Sequence, residues 1–205
     1  MKVEQRAYVR AMAERHRREL AIHGASLHAV GWSPQSQRKR FEVLAGIGPM
    51  IDARVLDVGC GLGDFLAFLR EAGQVPASYA GIDVVAEFID EARQRYPDAC
   101  FEVSDLADFE GDNRYDYCVA SGIFYLPSSS WNRCVQETAL KMFEMSTKGV
   151  AINFLSNLTR RRDDVSYYAD PGAVLRLLDR HVCSRLVLRH DYLLNDFTVY
   201  LYKAP

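Results

Sequence analysis

The hydrophobic pattern of this chain changes period repeatedly from residue 53 onward. Short apolar runs typical of buried strands occur at 53–58, 78–82, 99–103, 115–120 and 148–155, and helical patterns lie between them at 64–72, 85–95 and 128–145. Strands that alternate with helices predict parallel strands joined by right-handed crossovers. Another helix is predicted from 170 to about 181. Strand-like segments at 185–192 and 197–203 follow it across a loop of hairpin length.

Two helices are predicted before the first strand. The first covers residues 3–22 and is amphipathic. Its run Arg15-His16-Arg17-Arg18 is interpreted as a solvated face, and contact with an anionic substrate or a nucleic acid is the lesser alternative. The second begins at Ser33-Pro34, because a serine cap followed by proline is typical of a helix start.

Composition excludes several classes of protein. The 205 residues carry a formal net charge of −2, so no global basic field is available to hold a nucleic acid. Five scattered cysteines without a Cys-x-x-Cys pair suggest neither a disulfide framework nor a zinc knuckle, and they fit a reducing cytosol. The charged N-terminal region and the lack of an apolar run of bilayer length predict a cytoplasmic protein that does not bind membranes.

The first predicted strand runs into a turn with glycines at positions 59, 61 and 63. Glycine tolerates positive φ and lets a ligand approach the backbone, and the helix that follows presents free N–H groups. A dinucleotide site needs a small residue three positions after the second glycine, where this chain has Asp64. Asp64 and Asp57 would repel a diphosphate, which counts against a nicotinamide oxidoreductase. They suit a cationic ligand such as S-adenosylmethionine.

Acidic residues also follow the second and third strands, where ligands of open parallel sheets lie. Asp83 comes about twenty residues after the glycine turn, a position that favours hydrogen bonds to a ribose diol, although an N-cap role fits as well. Asp105 offers a carboxylate for an exocyclic amine, and its neighbour Leu106 offers a backbone N–H for a ring nitrogen. A plain aspartate turn is the alternative at this position.

These segments together resemble the class I S-adenosylmethionine-dependent methyltransferases, specifically the small single-domain ones. The resemblance rests on four stretches, Leu56-Asp57-Val58-Gly59-Cys60-Gly61-Leu62-Gly63, Gly81-Ile82-Asp83, 101–106 and 115–122, and it extends from about residue 40 onward. It implies a three-layer α/β fold with a Rossmann-like, seven-stranded, mostly parallel sheet, an antiparallel C-terminal strand and an N-terminal helical cap. We therefore expect one domain over 1–205, in which the helices of 1–48 form a lid over a core of 49–205.

The resemblance also assigns donor-binding roles. It implies that Gly59, Cys60 and Gly61 line the methionine part, that Val84 packs on adenine, and that Ser121 lies near the amino group of the donor. From the N-terminal helices, Trp32, Gln37 and Arg40 are expected to close over the donor, and Arg40 is a candidate for its carboxylate. A surface position on its helix is the alternative for Arg40.

Residues for the methyl acceptor are expected after the fourth and fifth strands and near the C-terminus. The expected lining residues are Phe124, Tyr125, Trp131, Asn153, Ser156 and Asn157. The segment 159–168, with Arg160, Tyr167 and Tyr168, has two equally supported interpretations: a lid that binds the substrate, and a solvated arginine run. His190 and Asp191 form a candidate pair of base and orienter, with Tyr125 as a further catalytic candidate. A histidine on the solvent side of an edge strand is the competing interpretation.

Missing signatures narrow the acceptor. The stretch after the fourth strand is not an Asn-Pro-Pro-Tyr motif, and the sequence contains no cluster with metal-ligand spacing, so neither that style of base methylation nor metal-dependent catechol chemistry is expected. The expected reaction is in-line transfer to an O, N or S nucleophile of a small organic molecule by a monomer or homodimer. S-adenosylhomocysteine would be the product. A non-catalytic donor-binding scaffold and, less so, an NAD-dependent oxidoreductase are the alternatives.

Overall fold

The computed structural model describes residues 3–24, 33–111, 115–160 and 162–204, and every statement below concerns these residues. Two helices come first, α1 (Val3–His23) and α2 (Pro34–Ala45). The alternating part then contains β1 (Arg54–Val58), α3 (Asp64–Glu71), β2 (Ser78–Asp83), α4 (Ala86–Arg95), β3 (Cys100–Val103), β4 (Tyr115–Ala120), α5 (Trp131–Met145) and β5 (Ser146–Leu155). The chain continues with α6 (Pro171–His181), β6 (Leu186–Leu193) and β7 (Asp196–Tyr202).

The strands form one sheet with the order β3-β2-β1-β4-β5-β7-β6. β1 to β5 are mutually parallel, and β7 lies antiparallel between β5 and β6. This is the predicted seven-stranded, mostly parallel sheet with an antiparallel strand near the C-terminus. The predicted hairpin is also present, because β6 ends at Leu193 and β7 begins at Asp196.

Side chains alternate between two apolar layers along each central strand, as the period of a strand requires. In β4, Cys118 and Ala120 join the core cluster that includes α5 and α6, whereas Tyr117 and Val119 join the cluster that includes α2 and α3. The sheet is therefore buried on both faces, and the predicted three layers are confirmed. Parallel strands covered in this way are apolar along their whole length.

The two N-terminal helices occupy different places. α2 begins with a serine cap, since the Ser33 hydroxyl accepts a hydrogen bond from the Ser36 N–H, and it buries Phe41, Val43 and Leu44 in the core. α1 lies over the carboxyl ends of the strands, where Tyr8 and Met12 are buried. Of the two helices expected to form a lid, α1 covers the strand ends, and α2 packs into the core layer while its Gln37 and Phe41 reach the same strand ends.

Candidate functional site

A cavity lies at the carboxyl ends of β1, β2 and β4, beneath α1. The topology of the sheet explains the location of this cavity. The chain crosses from β1 to β2 on one side of β1, and it later crosses from β3 to β4 on the other side of β1. This reversal of direction opens a crevice at the ends of the strands. The cavity brings together most of the predicted donor-binding residues. They are Asp57, Gly59, Cys60, Gly61, Asp83, Val84, Asp105, Leu106 and Ser121, and the predicted acceptor residue Phe124 joins them.

The glycine turn is fixed to β2 by its backbone. Gly59 N–H and Cys60 N–H both donate to the Ile82 carbonyl, at 2.8 and 3.0 Å. Gly59 has φ of +73°, and a Cβ there would lie 2.3 Å from the Ile123 side chain. Glycine is therefore required at this position by both conformation and space.

Asp83 connects the turn to the next helix. One carboxylate oxygen accepts from Gly61 N–H at 3.0 Å and the other accepts from Val85 N–H at 2.9 Å. The second bond lies within the turn before α4 and is not the N-terminal cap considered as the alternative, because the N-cap residue of α4 is Val85 and no described side chain caps the helix. Burial raises the pKa of Asp83, and backbone N–H donors and the charge of His16 partly oppose that rise.

Three more carboxylates line the same cavity. Asp57 is buried, and burial raises its pKa to about 7, although the Tyr79 hydroxyl donates a hydrogen bond to it. Asp64 accepts a hydrogen bond from the Gln37 amide at 3.1 Å. Asp105 is half-buried, and burial is the main reason that its pKa is raised. A cavity bounded by four carboxyl groups favours a ligand that carries positive charge and hydroxyl donors.

The covering helix α1 contributes residues that the sequence interpretation missed. Tyr8, Met12 and His16 follow one another at four-residue spacing and all line the cavity. The Tyr8 hydroxyl donates to the Ile123 carbonyl at 3.2 Å and accepts from Leu126 N–H at 3.4 Å, which attaches α1 to the loop after β4. The helical period of these three positions was the signal that could have identified His16 as inward-facing.

An aromatic cluster lies beside the cavity, behind Phe124. Trp131 donates its indole N–H to the Phe124 carbonyl at 3.0 Å, and its ring centroid lies 4.6 Å from that of Tyr167. Tyr167 N–H donates to the Tyr125 carbonyl at 2.7 Å. Of the expected acceptor residues, Phe124, Tyr125, Trp131 and Tyr167 therefore lie together.

Arg40 does not line this cavity. Its guanidinium binds Asp196 through two bonds, Nε to Oδ1 at 2.6 Å and Nη2 to Oδ2 at 2.9 Å, and both side chains are at most 2% exposed. Asn153 belongs to the same cluster, because its Nδ2 donates to Asp196 Oδ1 at 3.1 Å. The role predicted for Arg40 at the donor carboxylate is corrected to an ion pair that joins α2 to β7. Asn153 is likewise directed away from the acceptor side.

The candidate pair His190 and Asp191 is also separated. Successive residues of a strand point to opposite faces. Asp191 is exposed and forms a two-bond ion pair with Arg189, while the His190 ring packs 6.3 Å from that of Phe197. β6 is the edge strand farthest from β1, so the expected base and orienter lie neither together nor in the cavity.

The remaining predicted residues lie outside the cavity or outside the described part of the chain. Arg160 is exposed, and Tyr168 hydrogen-bonds Asp163 within its own loop. Trp32 falls among the residues that the structure does not describe. Within the described ranges, no group of three or more His, Cys, Asp or Glu side chains could hold a metal ion. No helix in those ranges is both long and apolar enough to cross a bilayer.

Comparison with known proteins agrees with this geometry. A family described as "Methyltransferase domain" matches residues 55–141. The Mycobacterium tuberculosis protein named "Putative methyltransferase Rv1506c" is 36% identical over 159 residues, which cover 72% of this chain and 92% of that protein.

Solved structures share the fold at lower identity. The magnesium protoporphyrin IX methyltransferase of Synechocystis PCC 6803, solved with bound SAM, has a TM-score of 0.65 at 13% identity, with 100% of this chain and 99% of that chain covered. The N-methyltransferase NodS of Bradyrhizobium japonicum WM9, in complex with S-adenosylhomocysteine, has a TM-score of 0.65 at 16% identity, with 94% and 98% covered. The chain belongs to the methyltransferase family and has the fold of its S-adenosylmethionine-dependent members.

Proposed function

We propose that this protein transfers the methyl group of S-adenosylmethionine to an O, N or S nucleophile of a small organic molecule. The observation that carries the proposal is the cavity beneath α1, in which the glycine turn and four carboxylates meet at the ends of β1, β2 and the segment after β3. The three-glycine turn accounts for close approach of a ligand, and the carboxylates account for its positive charge.

The residues present fit each part of this donor. Asp57 and Asp64 flank the turn and suit the sulfonium and the ammonium group. Each Asp83 oxygen accepts one backbone N–H, and a carboxylate has about four acceptor sites, so both ribose hydroxyls can still donate to it. Asp105 and Leu106 line the part of the cavity that follows β3, where we place the adenine edge.

The acceptor side is mainly apolar. Val9 and Met12 of α1 and Ile123 and Phe124 of the loop after β4 all line the cavity, and the Trp131 ring packs between those of Phe124 and Tyr167. Such a lining favours a small molecule with an apolar or aromatic body. An acceptor of this kind would be positioned between α1 and the loop after β4.

Most of the catalysis in this proposal comes from positioning. S-adenosylmethionine supplies an already activated methyl group on a sulfonium sulfur. The Asp83 carboxylate and the glycine turn hold and orient it, and α1 closes the cavity above it, which excludes water. Orientation of two reactants in this way can lower a barrier by about 7 to 11 kcal/mol.

Calorimetry with S-adenosylmethionine, S-adenosylhomocysteine and NAD(H) tests the donor site. We expect both sulfur compounds to bind and NAD(H) not to bind. Asp83→Asn should weaken the binding of S-adenosylmethionine by about 1.5 to 3 kcal/mol, which is a roughly 10- to 150-fold rise in Kd, because charge-assisted hydrogen bonds are lost. Asp90→Asn, on the exposed side of α4, is the matched control and should bind as the wild type does. Equal affinity for Asp83→Asn would contradict its ribose role.

A labelled methyl donor tests the transfer itself. The protein is incubated with methyl-labelled S-adenosylmethionine and a cellular metabolite extract, and the labelled product is identified. A labelled small molecule that forms only with active protein supports the proposal. Donor binding without any labelled product would instead support a donor-binding scaffold.

The five free cysteines are consistent with the cytoplasm as the site of this reaction.

A further inference from the structure

His16 is the cavity-lining base that the donor assignments do not use. Its ring lies edge-on between Phe88 and Tyr125, with centroid distances of 5.6 and 5.9 Å. Its Nε2 lies 3.4 Å from the Tyr125 hydroxyl oxygen. The same cavity is lined by Asp83 and the glycine turn, so the imidazole and the donor site share one enclosed space.

His16 differs from the other residues that line the cavity in the charge that it can carry. Among the described residues that line the cavity, His16 is the only side chain that can become cationic near neutral pH, and it faces a site with four carboxyl groups. The weak acids nearby stay protonated: burial raises the pKa of Tyr125 to about 12 and that of the Cys60 thiol well above its usual value. Neither can take a proton at pH 7. Asp57, whose pKa burial raises to about 7, is assigned to the donor.

We propose that His16 accepts the proton of the methyl acceptor, so that an imidazolium charge replaces the sulfonium charge during the reaction. This inference rests on the proposed methyl transfer. A cavity built around carboxylates is stabilised by one cation. With this exchange the cavity holds the sulfonium charge before the step and the imidazolium charge after it. The two cations are not present together, and therefore do not repel each other.

The step balances in atoms and charge. The lone pair of the acceptor atom forms the new bond to the methyl carbon, and the electron pair of the broken carbon–sulfur bond stays on sulfur. The proton that leaves the acceptor atom bonds to an imidazole nitrogen of His16. The Tyr125 hydroxyl can accept a hydrogen bond from Nε2–H, which leaves the lone pair on Nδ1 and makes Tyr125 a positioning residue.

Groups on several elements set the charge around His16. Asp83 at the end of β2 attracts its proton, and the neutral Tyr125 hydroxyl contacts its ring from the loop after β4. The Arg15 guanidinium lies 5.2 Å from the Tyr125 ring centroid. Other charged groups nearby, among the residues that the structure describes, are Glu19 of α1 and the ion pair of Arg17 with Glu87 of α4.

Imidazole NMR of the wild-type protein tests the charge exchange without an acceptor. The pKa of His16, assigned by its loss in His16→Gln, should be about one unit lower with S-adenosylmethionine than with S-adenosylhomocysteine, because only the former carries the sulfonium. By linkage, the affinity ratio of the two compounds should change about tenfold between pH 5.5 and 8. The exposed His181 is the internal control, and its imidazole resonances should be the same in both complexes.

Two variants on one helix complete the test. In His16→Gln the affinity ratio should vary less with pH than in the wild type, because only the contribution of Asp57, whose pKa is raised to about 7, remains. Formation of the labelled product should fall by about 10² or more while donor affinity at pH 8 is kept. Arg17→Gln, which removes an exposed cation from the adjacent position, should behave as the wild type.

The outcomes separate the two proposals. Equal His16 pKa values in the two complexes, or wild-type product formation by His16→Gln, would overturn the role of His16 and leave methyl transfer standing. Failure of the wild type to bind either sulfur compound would instead overturn the proposed function.

Discussion

The Arg40–Asp196 ion pair gives a sharp prediction, because the resemblance to known methyltransferases suggested a different role for Arg40. Replacing Arg40 by methionine keeps the aliphatic stem and removes the guanidinium. Asp196, which is fully buried, then loses both of its charged hydrogen bonds and, among the described residues, keeps the Asn153 amide as a donor. The variant therefore tests whether this arginine serves the fold or the donor.

The expected loss of stability follows from burial. Breaking a buried pair by removing one partner costs about 3 to 5 kcal/mol, because an unpaired charge is left in the interior. For a chain of this length, that corresponds to a fall in Tm of roughly 6 to 20 °C. Arg38→Met is the matched control: Arg38 lies on the same helix and pairs with Glu71 at 3.1 Å, but both side chains are more than half exposed. Its loss should be at most about 1 kcal/mol.

Urea unfolding measures both losses, and calorimetry below the transition measures donor affinity of the folded variants. We expect Arg40→Met to bind S-adenosylmethionine as the wild type does. Arg40→Met combined with Asp196→Asn should recover part of the lost stability, since the buried charge is removed and the Asn153 amide keeps an acceptor. A variant with unchanged stability and lost donor binding would refute this reasoning and restore Arg40 to the donor carboxylate.

Three further predictions concern the cavity and its surroundings. Gly59→Ala should abolish donor binding, because the added Cβ would lie 2.3 Å from a neighbouring side chain. Gly73→Ala is the control, since Gly73 has a similar positive φ but open space around it. Calorimetry should show a loss of donor affinity for Gly59→Ala and none for Gly73→Ala. Between about pH 4 and 7 the folded protein keeps a proton on Asp57 that the unfolded chain has released, so this group lowers stability as pH rises through that window. Urea unfolding should show that the advantage of Asp57→Asn over the wild type grows up to about pH 7 and is constant above it. Trp131→Phe leaves the Phe124 carbonyl without its indole donor, which should cost about 1 to 3 kcal/mol in stability and reduce labelled product while donor affinity stays unchanged.

Most of the fold could be predicted because its signals are local. Apolar runs and helical periods gave each of the seven strands and six helices within a few residues, and the order of strands and helices implied the parallel crossovers. The position of α2 was harder to predict, because nothing in the sequence of a short helix shows whether it covers a ligand or joins the core. Its buried face decides that question, and burial depends on long-range packing.

The structure brings the residues predicted at the strand ends together in one cavity but separates several of those predicted for the acceptor, for a related reason. Gly59, Asp83 and Asp105 occupy fixed positions at the ends of strands, so the topology of the sheet brings them together. His190 and Asp191 were chosen as neighbours in sequence, although neighbours in a strand face opposite ways. His16 was assigned to a solvated basic run, because its arginine neighbours concealed the four-residue spacing that turns it inward.

The position of β7 has a consequence for synthesis and folding. β7 follows β6 in the chain but lies between β5 and β6 in the sheet, so β6 has no strand partner until β7 has been made. Asp196, which binds Arg40 from a position 156 residues later in the chain, is made with the same strand. A ribosome-bound chain that ends before β7 therefore contains an exposed strand edge and lacks the Arg40–Asp196 ion pair. We expect such nascent chains to depend on chaperones until the last strand emerges and inserts.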